Sequence, residues 1–186
     1  MSWLHALAKW GFFLVLALSA LPLVRIPSAA SGNILSRASV CFDPPRDNCS
    51  FYLTCLESRY HCGSDGYPVG YGFKYCTQFS EERDKLSEQG QTWMVDTMQC
   101  LQRELIPEAT GASDTTCARL EDKAFESHSV CYTQAGLCTL LPTDWLAIIS
   151  IVHLPTLFQS WDAFKETLQA GAECLELYAF LIAHGL

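Results

Sequence analysis

The chain has 186 residues, enough for one domain with its own core. Twenty acidic residues against 12 basic ones give a net charge of −8, a balance that disfavours nucleic acid and anionic lipid as partners. Its ten cysteines need either an oxidising compartment or a metal, and their spacing separates the two.

Residues 1–30 read as a signal peptide. His5 and Lys9 precede an apolar run of 14 residues, Gly11 to Val24, which is shorter than the ~18–20 residues that span a bilayer. Ser28 and Ala30 supply small residues for cleavage before Ser31. Removal of this segment takes Lys9 and Arg25 with it, leaving ten basic residues against 20 acidic ones. Residues 31–40 read as a mobile N-terminus, and 41–186 as one disulfide-rich helical domain. Every cysteine lies beyond residue 30, an even set that predicts a disulfide framework formed outside the cytosol. No C-x-x-C pair accompanies His61 or His128, so no metal site is expected.

Asn48-Cys49-Ser50 satisfies the N-x-S acceptor pattern and makes Asn48 a candidate glycan site. The run from Ser50 to Tyr60 predicts a short helix. Cys62 to Cys76, "CGSDGYPVGYGFKYC", holds four glycines and three tyrosines. It reads as a loop that doubles back, with Gly66 and Gly70 supplying positive φ on either side of Pro68. Tyr67, Tyr71 and Tyr75 either pack over neighbouring disulfides or form a partner-binding patch.

Helical patterning resumes near Lys74 and stops at Gly90. Met94, Met98, Leu101 and Leu105 then form one apolar stripe at helical spacing, ended by Pro107 and Gly111. Ser113 or Asp114 can cap the next helix, in which Cys117, Leu120, Ala124, His128 and Cys131 share a face. Cys117 and Cys131 are about three to four turns apart and cannot bond each other. Gly136 ends this helix. Thr143 opens another, closed by Pro155, and two more follow, divided near Gly171. The reading is all-α: a compact helical domain cross-linked by five disulfides, which compensate for a modest core.

Catalytic chemistry finds no foothold. Asp65 is the one carboxylate of the glycine-rich loop, too few for a calcium loop. Gly-Lys-Ser/Thr, G-x-S-x-G, and the His-Asp with adjacent cysteines of secreted phospholipases are all missing. His128 and His153 read as helix residues in or near a core, with no nucleophile to serve. Glu81, Glu82 and Asp84 read as a solvated helix face. No enzyme activity and no cofactor are expected.

The spacing between successive cysteines is 7, 5, 6, 13, 23, 16, 13, 6 and 35 residues. This register resembles the stanniocalcin family of secreted glycoprotein hormones. "GQTWMVDTMQCL", "VCYTQAGLC" and "IISIVHLPTLF" resemble it locally. The resemblance implies the pairing Cys41–Cys55, Cys49–Cys76, Cys62–Cys117, Cys100–Cys131 and Cys138–Cys174. It also implies extracellular action in calcium and phosphate balance through a protein partner, a receptor or a protease. A secreted module inhibiting pappalysin-type metalloproteases on the same scaffold is the alternative. Stanniocalcins carry a further cysteine that links two chains. No eleventh cysteine occurs here, so a monomer or a non-covalent dimer is expected.

Overall fold

The computed structural model of the chain describes residues 39–152 and 174–185. The signal-peptide segment, His153, Pro155 and the first of the two C-terminal helices lie outside the described residues. Among those described there is no strand, and the architecture is all-helical. Residues 39–42 are helical, so the expected boundary at Val40 falls inside a helical turn.

The run 50–60 is one helical segment, α1, whose middle, Tyr52–Glu57, is π-helical and continues into Ser58–Tyr60. It buries Phe51, Tyr52, Cys55 and Leu56. The stretch 67–81 forms α2, which begins as a π-helical turn, Tyr67–Phe73, and passes into Lys74–Glu81. The expected loop from Cys62 to Cys76 therefore shrinks to residues 62–66. Pro68 sits in the first turn of α2, where its missing N–H costs nothing.

The glycine expectation needs the matching correction. Gly66 has φ −74°, and Gly70 is not among the glycines with positive φ. In this stretch that role falls to Gly63, at φ 81°. Gly72 serves close approach instead: a Cβ there would collide with the Tyr52 ring of α1. This contact lets the π-helical turns of α1 and α2 pack on each other.

The patterned stretch from Lys74 to Gly90 is likewise not one helix. A 3-10 turn, Arg83–Lys85, follows α2, and α3 then runs Glu88–Glu104. Ser87 is the N-cap, its Oγ accepting from the Gly90 N–H at 3.1 Å. Gly90 thus lies inside the first turn of α3 rather than ending a helix. The deciding contact is remote in sequence. Asp144, almost fully buried, accepts from the Ser87 N–H and the Ser87 hydroxyl, each at 2.7 Å. A Cβ on Gly90 would stand 2.6 Å from Asp144 Oδ1, so glycine admits the carboxylate.

Asp144→Ala removes two hydrogen bonds and leaves the half-buried Ser87 N–H and hydroxyl without their acceptor. A stability loss of about 2–3 kcal/mol is expected, read as a lower urea midpoint at unchanged slope. Asp144→Asn, which keeps one acceptor oxygen, should lose less.

Met94, Met98, Leu101 and Leu105 are all buried along α3 and just past its end. Pro107 opens a short helix, α4, Ile106–Thr110, rather than stopping α3, and Gly111 ends it at φ 79°. Helix α5, Cys117–Gln134, is capped by Thr116, not by Ser113 or Asp114. Its buried face carries Leu120, Ala124, His128 and Cys131, together with Phe125 and Tyr132. Helix α5 packs along α3, and the Trp93 indole N–H donates to the Tyr132 carbonyl at 3.2 Å. Gly136, at φ 99°, turns the chain into α6, Pro142–Ile151. The last described helix, α7, Leu175–Ala183, lies against α6.

Candidate functional site

The ten cysteines all bond within the chain. The structure joins Cys41 to Cys55, Cys49 to Cys76, Cys62 to Cys117, Cys100 to Cys131, and Cys138 to Cys174. Cys117 and Cys131 leave the same helix for different partners. Cys117 anchors the turn after α1, and Cys131 anchors α3. Residues 62–66 are held from below as well: the Glu57 carboxylate accepts from the N–H groups of Cys62 and Gly63 at 3.1 and 3.0 Å.

Asn48 is exposed just before α1. Its Oδ1 accepts from the Ser50 N–H at 2.8 Å and from the Ser50 hydroxyl at 2.6 Å. The neighbouring Cys49 is bonded to Cys76 and half-buried, while the Asn48 carbonyl accepts from Gln102 at 2.7 Å. The backbone on both sides of the acceptor is thus pinned, but its side chain faces water.

The three tyrosines separate. Tyr67 is buried and belongs to the core, so it contributes nothing to an exposed patch. Its ring meets those of Tyr52, Phe125 and His128 edge-on, with centroids 6.2, 5.7 and 6.5 Å away. Tyr71 stacks parallel to Tyr67 and edge-on to Phe125, and is half-buried, as is Tyr75. Together with α3 and α5 these rings wall a half-open cavity enclosing about 60 Å³. Burial pushes the hydroxyls of Tyr52, Tyr67 and Tyr132 well above the usual phenol range, so they stay neutral.

His128 is the titratable imidazole of this cavity. Burial pushes it down to about 4, against the smaller opposing effect of a bond to the Ala124 carbonyl at 2.6 Å. A carbonyl only accepts, so Nδ1 carries the proton and Nε2 is the unprotonated nitrogen. No carboxylate and no free thiol lines the cavity among the described residues. His61 and His184 are exposed and stand apart from it. Among the described residues no group of three or more metal-ligating side chains gathers. No described helix is long and apolar enough to cross a membrane.

Sequence reasoning placed His128 on the inner face of α5 but missed the cavity around it. Phe125, His128 and Tyr132 stand at i, i+3 and i+7, an aromatic stripe that was available to be read. Met94 and Met98 belong to the apolar stripe read from α3, while Trp93 gave no comparable signal.

A family model, described as the stanniocalcin family, matches residues 36–186. The chain belongs to the stanniocalcin family. The match takes in every cysteine of the all-helical scaffold. No curated protein and no solved structure matches the chain.

For this stanniocalcin-family chain the bond most open to a chemical check is Cys62–Cys117. Digestion without reduction should release a Cys62 peptide linked to the Cys117 peptide. A linked Cys62–Cys76 peptide would contradict the structure and reopen the loop.

Proposed function

We propose that this chain is a secreted, stanniocalcin-like regulatory protein acting outside the cell in calcium and phosphate balance, rather than an enzyme. The observation that carries the reading is membership of the family over residues 36–186, with all ten cysteines bonded. Five disulfides in a chain of this size fit an oxidising compartment. The short apolar run at Gly11–Val24 fits an exported precursor processed before Ser31. Its partner is an extracellular protein, a receptor or a protease, and the chain acts as a monomer or a non-covalent dimer.

The test has two stages. N-terminal sequencing of the protein collected from culture medium should begin near Ser31. On a non-reducing gel the same material should run as a single chain, since no cysteine is left to link two copies. The purified protein, applied to a transporting epithelial layer, should then change labelled calcium or phosphate flux, and reduced, alkylated protein should not. Retention of Met1 in a membrane fraction would overturn secretion. Unchanged fluxes combined with inhibition of a pappalysin-type protease would replace the mineral role with an inhibitory one.

A further inference from the structure

Asn48-Cys49-Ser50 is the one N-x-S/T triplet in the chain, and the regulatory role proposed above makes no use of it. Its geometry divides the Asn48 carboxamide in two. Oδ1 accepts from the Ser50 N–H at 2.8 Å and from the Ser50 hydroxyl at 2.6 Å, and so caps the start of α1. A backbone N–H only donates, which fixes the atom facing it as the oxygen. Nδ2 therefore takes no part in the cap, and the Asn48 side chain is exposed. Asp47 precedes it at φ 57°, a left-handed turn held by the Asp47–Arg83 ion pair at 2.6 Å. A sugar on Nδ2 would leave each of these bonds in place.

The backbone of the same triplet is closed to an enzyme. The Asn48 carbonyl accepts from Gln102 of α3 at 2.7 Å. Cys49 is half-buried and bonded to Cys76 of α2. Ser50 lies in the first turn of α1, its hydroxyl given to Oδ1. A transferase has to seat the asparagine nitrogen, the serine hydroxyl and the backbone between them in its own cleft. In the folded chain that backbone is tied to three helices at once.

We propose that Asn48 carries an N-linked glycan, and that the glycan is added before the Cys49–Cys76 bond closes. Cys76 follows Cys49 by 27 residues, so the triplet is exported before its disulfide partner. The donor is an oligosaccharide joined through a diphosphate to a lipid. Nδ2 attacks C1 of the first sugar, the C1–O bond to phosphate breaks, and the lipid diphosphate leaves with the bonding electrons. One Nδ2 proton passes to a base of the transferase. The product is still an amide, so Oδ1 still accepts from Ser50 and α1 keeps its cap once the chain folds.

The proposal rests on export of the chain, which the N-terminus near Ser31 reports separately. The full chain is collected from the medium of animal cells and treated with an amidase that releases N-glycans. Its mass should fall on treatment. Asn48→Asp and Ser50→Ala should show no such change, and Ser50→Thr should keep it. Asn48→Asp retains an acceptor oxygen for the cap, so its loss of glycan is not a loss of fold. For the order of events, unglycosylated chain is offered to solubilised transferase with a lipid-linked donor, once folded and once reduced. The reduced chain should be modified at least about a hundredfold faster. Three hydrogen bonds, each worth about a factor of five, must otherwise open first. An unglycosylated chain that begins near Ser31 would overturn the proposal and leave secretion standing. A glycan that survives Asn48→Asp would overturn the site. Equal modification of the folded and reduced chains would overturn the order.

Discussion

Cys62→Ser should cost the folded chain about 4 kcal/mol and sharply reduce secretion. The Cys62–Cys117 bond closes a loop of 55 residues, the longest of the five. In the chain-entropy account a loop of that length constrains the unfolded state by about 4 kcal/mol, against about 3 for a short one. The native side of the balance is affected too. Cys62 is where the chain leaves α1, and Cys117 is the first residue of α5, so the bond fixes one helix end against another. Its loss leaves residues 62–66 held by the Glu57 carboxylate and by the Gly70 N–H donating to the Gly66 carbonyl. For a domain of this size the melting temperature should fall by about 8–16 °C. Cys117→Ser should match it. The double variant, which leaves no unpaired thiol, should be secreted better than either single one while melting no higher. A double variant secreted as poorly as the singles would show that lost stability, not thiol mispairing, limits export.

Acidification from pH 7 to below 4 should cost about 3 kcal/mol through His128 alone. In the unfolded chain this imidazole titrates near 6.5, and in the fold burial holds it down to about 4. The unfolded state therefore binds a proton across that window while the folded state does not. The stability is fully present above about pH 6.5, falls as the pH drops, and levels off below about 4. The separation between the two values converts to about 3 kcal/mol. No carboxylate lines the cavity to take up the charge, and the facing tyrosines stay neutral. Carboxylates elsewhere also titrate near the lower end, so the readout is the difference between two proteins. Urea midpoints of the wild type and His128→Phe, compared from pH 7.5 to 3.5, should diverge in slope, with the variant flatter. Parallel curves would mean that His128 is charged or solvated in the fold.

Much of the fold could be read from residue spacing because helices are local. The stripe Met94, Met98, Leu101, Leu105 and the face Leu120, Ala124, His128, Cys131 repeat at the helical period, and both sets are buried. Helix ends were less legible. Thr116 caps α5 where Ser113 and Asp114 offered equal chemistry, and Pro107 starts a helix where it could have stopped one. The candidate site was least legible, because its walls come from four helices and no window of sequence contains them.

By itself the sequence determined the helical class, the cysteine register and, through that register, the likeness to a family of secreted proteins. Periodicity and cysteine spacing are properties of the chain as written, and they hold in any arrangement of the helices. Tertiary structure alone decided three things. The break between α2 and α3 depends on Asp144 reaching Ser87 across 57 positions. The burial of Tyr67 depends on α5 arriving with Phe125 and His128. The need for glycine at 72 comes from the Tyr52 ring of another helix, not from a turn. In each case a side chain's state was set by a partner far along the chain, and local propensity carries no information about such a partner.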